Sequence, residues 1–251
     1  MTLEQFFQDH PQGALAFSGG VDSAFLLWAG LRAGADLRPC FVKTPFQPQF
    51  ELEDSRRLCA RLGVALTVIE LDVLDDPAVS SNPPDRCYHC KRRLFSHLID
   101  WAAGTELPLV LDGTNASDDA GDRPGMRALE ELGVRSPLRE CGLTKERIRA
   151  LSREAGLFTW NKPSYACLAT RIPAGRAITR ADLERAETGE ALLSGLGFRD
   201  FRLRLSPDGC RLQVAQGQLP LVLERRADIL AALGPVFSEI VLDLKPRIPA
   251  D

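Results

Sequence analysis

The chain has 251 residues, 45% hydrophobic and 26% charged, with a formal net charge of −3. That composition suits one large globular domain or two small ones. It excludes a membrane span, because no apolar run is long enough, and gives no general attraction to nucleic acid.

Residues 1–11 read as a short amphipathic helix ending before Pro11. They lack the basic and apolar segments of a signal peptide, so a cytoplasmic location is expected. Seven cysteines in a reducing compartment point to metal binding or reactivity more than to disulfides. Ala14 to Phe17 form a short buried strand, Ser18-Gly19-Gly20 a tight turn, and Val21 to Arg32 a helix with apolar residues at helical spacing. A strand, a glycine turn and a helix N-terminus make an anion site, because free N–H groups and the helix dipole point at the ligand. Ser18 and Ser23 add hydroxyl donors. The loop is neither GxxxxGK[ST] nor GxGxxG.

A second strand covers 37–43 and contains Cys40. A helix over 50–62 contains Cys59 and stops at Gly63, and a third strand covers 64–71. Cys40 and Cys59 read as packing residues. After an irregular stretch over 75–86, Cys87-Tyr88-His89-Cys90 opens a helix over 91–103. A fourth strand, 108–111, ends in Asp112-Gly113-Thr114-Asn115. Beyond it lie a polar stretch with Asp118, Asp119, Asp122 and Arg123 and helices near 126–132 and 144–155, the second with Thr144 as a capping signal.

Alternating strands and helices predict an α/β fold, a Rossmann-like parallel sheet with helices on both faces. Ligands of such sheets bind at the carboxyl ends of the strands. The glycine turn, the segment after Asp72 and the Asp112–Asn115 stretch all fall there, which predicts one shared pocket. Beyond residue 160 the pattern changes to a helix (179–193), strands (201–205, 210–215), a helix (219–233) and a last strand (238–242). The expected division is therefore an ATP-binding domain over 1–160 and a smaller α+β domain over 161–251. Arg202 and Arg204 lie two apart in a strand and share a face; a surface salt-bridge ladder would explain them equally well.

Cys87 and Cys90 are followed by Lys91, Arg92 and Arg93, and a helix N-terminus beside cations favours the thiolate that binds metal or attacks. Cys167 lies between Pro163 and Pro173, with Arg171 near it. A structural zinc site would need His89 or Cys141 as a fourth ligand. Three thiolates without a fourth would suit a [4Fe–4S] cluster with one open iron. Cys141 and Cys210 sit beside glycines in turns and carry no assigned role.

Ser18-Gly19-Gly20-Val21-Asp22-Ser23 resembles the pyrophosphate loop of the ATP pyrophosphatase superfamily, whose fold is that of the adenine nucleotide alpha hydrolases. Four further stretches join it: Leu111 to Asn115, Asp122-Arg123-Pro124-Gly125, Leu132 to Leu138, and Lys162-Pro163-Ser164-Tyr165-Ala166-Cys167-Leu168-Ala169-Thr170-Arg171-Ile172-Pro173. With Phe201 to Arg204 they make the chain similar, from residue 18 to about 204, to the LarE family of ATP-dependent sulfur transferases, which build the nickel-pincer nucleotide cofactor of lactate racemase. The resemblance implies that ATP adenylylates a carboxylate of pyridinium-3,5-biscarboxylic acid mononucleotide and that sulfur displaces AMP to leave a thiocarboxylate. It implies that Ser18, Gly19, Gly20, Asp22 and Ser23 hold the ATP phosphates with Mg²⁺, and that Thr114 and Asn115 contact the nucleotide. Arg123, Arg171, Arg202, Arg204 and Glu190 are implied at the substrate. Sulfur would come from a [4Fe–4S] cluster on Cys87, Cys90 and Cys167, the three-cysteine form that this chain matches, or from Cys167 itself, consumed to dehydroalanine. Gln213 departs from the family pattern, standing where a glutamate is expected. The resemblance also suggests a homo-oligomer. Alternative functions are tRNA thiolation, an amide-forming ligase of the NAD synthetase kind, and a non-enzymatic nucleotide sensor. The first would bring a second CxxC pair or a positive net charge, which this chain does not have, and the other two leave the three cysteines unused.

Overall fold

The computed structural model describes residues 1–118, 124–207 and 209–247. The chain divides into two compact units, one made of Met1–Val73 and Pro84–Lys162, the other of Leu74–Pro83 and Pro163–Asp251. Residues 74–83 thus leave the first unit, join the second, and the chain returns. Among the described residues no helix is long and apolar enough to cross a membrane.

In chain order the elements are α1 (Leu3–Asp9), β1 (Gln12–Ala16), α2 (Val21–Arg32), β2 (Asp36–Lys43), α3 (Gln49–Leu62) and β3 (Thr67–Glu70). They continue with α4 (Pro77–Ser80, in the second unit), α5 (Arg86–Gly104), β4 (Val110–Leu111), α6 (Pro124–Glu131), α7 (Pro137–Glu140) and α8 (Lys145–Glu154). The strands of the first unit form a parallel sheet in the order β3-β2-β1-β4. Strand alternation assigns its two faces. Leu15, Leu37 and Leu111 pack with Phe6, Phe7, Phe25, Leu27, Leu138 and Ile148, on the side of α1, α2, α7 and α8. Their neighbours Ala14, Cys40 and Val110 pack with Phe95, Leu98, Ala102 and Leu129 of α5 and α6. The expected parallel sheet with helices on both faces is the one observed.

The strand order places β1 between β2, which follows it, and β4, which comes much later. Successive crossovers leave the sheet in opposite directions there, and the crevice beyond the carboxyl ends of β1 and β4 is the place where such sheets take ligands. The glycine turn follows β1 and Asp112–Asn115 follows β4, so two of the three stretches expected at one pocket share this end of the sheet, while the segment after Asp72 passes into the second unit from Leu74.

The second unit holds a 3₁₀ turn (Leu168–Arg171), α9 (Arg180–Gly195), β5 (Arg202–Leu205), β6 (Gly209–Gln213), α10 (Leu219–Glu224), α11 (Arg226–Leu233) and β7 (Glu239–Leu242). The helix expected over 219–233 is two helices that meet at Arg225. β5 pairs antiparallel with β6, and β6 parallel with β7. Leu183, Ala186 and Leu193 of α9 are buried, as are Leu203, Leu205, Leu212 and Phe237. Gly189 lets α9 approach this sheet closely, because a Cβ there would overlap Leu203 and meet the Phe237 ring. Residues 74–83 are stitched into the unit by backbone bonds from Ile178 N to Ser80 O and Gly175 N to Asn82 O, and by Asn82 Nδ2, which donates to Pro173 O and Arg176 O.

Candidate functional site

The loop after β1 is built to leave donors unspent. Gly20 caps α2 without a side chain. Ser18 Oγ and Ser23 Oγ sit 3.2 Å apart, and the contacts from Ser18 N to Ser23 Oγ, from Gly20 N to Ser18 Oγ and from Ser23 Oγ to Gly20 O are long at 3.4 Å. Such bonds are weak and exchange readily for an anion's oxygens. Gly19 adopts left-handed backbone (φ 66°), which turns the chain from strand to helix. Behind it, Lys162 Nζ donates to Gly19 O at 3.2 Å and pairs with Asp54 at 2.8 Å.

The Asp112–Asn115 stretch is folded on its first residue. Asp112 is buried and accepts from Thr114 N, Thr114 Oγ1 and, at 2.6 Å, Ser136 Oγ. Gly113 permits contact with α2, since a Cβ there would lie 3.0 Å from Ser23 N. Asn115 Nδ2 reaches Asp22 Oδ1 at 3.4 Å, and Lys145 Nζ donates to Asp22 Oδ2 at 2.5 Å. Burial raises the Asp22 carboxyl above its ordinary value, and the Lys145 charge opposes the shift. The structure thus gathers Ser18, Gly19, Gly20, Asp22, Ser23 and Asn115, all anticipated, around one helix start, while the Thr114 hydroxyl is turned onto Asp112. Lys145 and Lys162 were missed. Lys145 stood in the sequence only as the residue after a helix cap, and Thr144 does cap α8 by accepting from Arg147 N. The reach of an ammonium across 123 residues to Asp22 leaves no local pattern.

Helix α5 starts at Arg86, so Cys87 and Cys90 lie in its first two turns, three apart and on one face. Arg86 Nη2 is 3.5 Å from Cys87 Sγ. Tyr88 donates to Glu131 at 2.6 Å, Arg127 lies over the Tyr88 ring, and His89 pairs with Asp85 at 3.2 Å, so this turn is braced against α6. Among the described residues all seven cysteines are free of disulfides. Burial pushes the Cys40 and Cys59 thiols up to about 12 and Cys210 to about 11, as befits packing residues. Burial also raises Cys141.

In the second unit Cys167 caps the 3₁₀ turn, and its carbonyl accepts from Thr170 N at 3.0 Å and Thr170 Oγ1 at 2.8 Å. Arg171 is buried completely and paired with Glu190 through Nε (2.7 Å) and Nη2 (2.9 Å). Its Nη1 donates to Ala166 O at 2.9 Å and Thr170 Oγ1 at 2.8 Å, and lies 3.5 Å from Cys167 O. Burial pulls this guanidinium down, but Glu190 raises it on balance. Glu190 also accepts from Tyr165 Oη at 2.6 Å and Leu203 N at 3.0 Å. Arg202 is buried, donates to Ser164 O and Phe201 O, and lies over the Tyr165 ring. Burial and the charges of Arg171 and Arg247 hold it down at about 10. Arg204 is exposed and donates to Thr170 O. Within neither unit, among the described residues, are three His, Cys, Asp or Glu side chains gathered as a metal site.

No family model matches the chain. Individual proteins do. A pyridinium-3,5-bisthiocarboxylic acid mononucleotide synthase of Lactiplantibacillus plantarum is 32% identical over 248 residues, which cover 97% of this chain and 89% of the relative. The chain belongs to the LarE family. Two uncharacterised proteins are similar over comparable lengths. One, from Synechocystis sp., is 33% identical over 87% of this chain and 82% of its own, and the other, from Methanocaldococcus jannaschii, is 32% identical over 92% and 88%. Of the residues that the LarE pattern marks in the second unit, Arg202 and Arg204 share a face of β5 opposite Gln213 and Arg211 of β6. Gln213 donates to Lys245 O. Arg123, with Asp119 and Asp122, lies outside the described residues.

Proposed function

We propose that this protein is an ATP-dependent sulfur transferase that converts a carboxylate of pyridinium-3,5-biscarboxylic acid mononucleotide to a thiocarboxylate. The observation that carries the reading is the uncapped start of α2 at the switch point of a parallel sheet, with Asp22, Asn115 and Lys145 converging on it. The named synthase from L. plantarum, related over nearly the whole of both chains, supports the choice of substrate.

In this reading the ATP phosphates lie against the first amides of α2, held by Ser18, Gly19, Gly20 and Ser23 and neutralised by Lys145 and Lys162. Asp22 is the carboxylate for Mg²⁺, an ion that binds through one or two carboxylates together with phosphates. Its pairing with Lys145 fits a position that attracts cations. A substrate carboxylate oxygen attacks the α-phosphorus, the bond to the bridging oxygen breaks, and pyrophosphate leaves. A sulfur nucleophile then adds to the acyl carbon, AMP departs with the C–O electron pair, and the thiocarboxylate remains. Arg202 and Arg204 would receive the substrate's phosphate.

Cys87, Cys90 and Cys167 would hold a [4Fe–4S] cluster, and three thiols free of disulfides, two of them one turn apart on α5, are a donor set that fits it. When bound, that group would supply the transferred sulfide at an open iron. In the other route the Cys167 thiolate is the nucleophile that displaces AMP, and β-elimination, with the Cα proton passing to a base, then breaks its Cβ–S bond to leave dehydroalanine and the thiocarboxylate. The test is anaerobic incubation with ATP and the mononucleotide, following AMP, pyrophosphate and product mass, beside iron and sulfide analysis. AMP and pyrophosphate formed only with the mononucleotide, and a product with oxygen replaced by sulfur, would support the proposal. ADP and phosphate, or thiolated tRNA with the mononucleotide untouched, would sink it.

A further inference from the structure

We infer that Arg171 and Glu190 are positioning residues that set the main chain at Cys167, and that neither binds substrate or metal. The inference rests on the reading of Cys167 as the residue that handles sulfur, whichever route supplies it.

A carboxylate has a limited capacity to accept hydrogen bonds. Its two oxygens offer about four acceptor sites. Glu190 uses one oxygen for Arg171 Nε and Leu203 N and the other for Arg171 Nη2 and Tyr165 Oη, with every distance between 2.6 and 3.0 Å. Nothing remains to coordinate a metal or accept from a ligand. Glu190 is therefore joined at once to its own helix α9, to the β5 backbone at Leu203, and to the segment that carries Cys167.

The guanidinium continues the chain of contacts. With Nε and Nη2 spent on Glu190, Nη1 faces Ala166 O, Cys167 O and Thr170 Oγ1. Those two carbonyls flank the Cys167 residue. Tyr165 closes the set. Its hydroxyl is on Glu190, and its ring lies under both Arg171, at 4.5 Å, and Arg202, at 5.3 Å. Residues 165–171 are thus wrapped around one ion pair.

Stability alone is a poor reason for such a pair. Apolar residues of similar volume often serve a core as well or better, because the charges lose their hydration. A pair can, however, aim hydrogen bonds at chosen carbonyls, which an apolar cluster cannot. The bonds of Arg171 are aimed at the peptide groups on either side of the one cysteine in this unit that is not buried in its core.

The experiment measures the alkylation rate of each cysteine by iodoacetamide in the full chain, under reductant and chelator, by peptide mass spectrometry. Wild type is compared with Tyr165→Phe, Glu190→Gln and Arg171→Lys. Cys210, buried in the same unit, reports loosening of that unit, and Cys87, in the other unit, is the rate reference. The Cys167 rate relative to Cys87 should change at least about threefold in Glu190→Gln and Arg171→Lys, and less in Tyr165→Phe, because reactive geometry is sensitive to small displacements. Cys210 should stay protected throughout. In Tyr165→Phe, kcat for thiocarboxylate formation (the single-turnover rate constant where Cys167 is itself consumed) should fall while KM for the mononucleotide holds. Unchanged Cys167 ratios, Cys210 exposed together with Cys167 in all three variants, or a raised KM with kcat intact would each overturn the inference. A separate Cys167→Ser variant that still forms thiocarboxylate would refute the sulfur-handling reading, whereas the alkylation ratios would still decide what Arg171 and Glu190 do.

Discussion

Gly19→Ala is the most direct probe of the glycine loop. Its left-handed backbone (φ 66°) costs a residue with a Cβ about 1–2 kcal/mol. The added Cβ would also overlap Ser55 Oγ and lie 3.2 Å from Ser55 N and 3.3 Å from Glu51 O. Ser55 is fully buried, and its hydroxyl donates to Glu51 O at 2.7 Å, so it does not step aside. Forced crowding of this kind costs about 1–3 kcal/mol. The two parts come to roughly 2–5 kcal/mol, and they are separable. Removing the hydroxyl with Ser55→Ala relieves the overlap but leaves the backbone strain, so Gly19→Ala should cost about 1–3 kcal/mol less in that background. All three tryptophans, Trp28, Trp101 and Trp160, belong to the first unit, so their fluorescence in a urea titration reads this unit alone. If the two substitutions add to within about 0.5 kcal/mol, close approach to α3 is not why position 19 is glycine.

Lys145→Met should weaken ATP binding roughly tenfold to a hundredfold in titration calorimetry, the loss of one charged hydrogen bond, and an unchanged affinity would remove Lys145 from the phosphate site. Arg135 holds the Glu140 carboxyl below its ordinary value, mainly through their hydrogen bond. A lowered acid stabilises the fold above the unfolded value of 4.5 and loses that contribution as pH falls through the folded value. Glu140→Gln should therefore cost the first unit up to about 1 kcal/mol at pH 7, a deficit that shrinks as the pH is taken below 4.5; a deficit independent of pH would refute the assignment. In folded protein freed of iron by chelator, at pH 8, a thiol reagent should leave Cys40, Cys59 and Cys210 unmodified until denaturant is added, whereas Cys87 reacts at once. Gly189→Ala should destabilise the second unit by about 1–3 kcal/mol, read as earlier exposure of Cys210 in urea.

Most of the first unit was legible because its signals are local. Short apolar strand runs, a helix whose observed limits Val21–Arg32 match those expected, and a left-handed glycine stop at Gly63 all depend on neighbours in the chain. The same holds for the glycine loop, whose chemistry follows from a strand and a helix meeting. What stayed hidden depends on long-range contact. Lys145 and Lys162 reach the loop from more than a hundred residues away. Arg171 and Glu190 enter the sequence reading as site residues only through the family resemblance, and their pairing across 19 residues leaves no local pattern. The break at Arg225 inside an otherwise helical stretch has no signal that we can name.

The excursion of residues 74–83 has a consequence for inheritance and dissection. A cut near residue 160 looks like a clean seam, yet a piece beginning there would leave behind Asn82, with its bonds to Pro173, Gly175 and Arg176, and Ser80, the partner of Ile178. The stretch just after the Cys167 segment would then be missing its braces. The second unit therefore cannot be lifted from this gene as one contiguous block, nor replaced by recombination at a single crossover. Any evolutionary exchange of the Cys167-bearing unit must carry along ten residues encoded in the middle of the first unit.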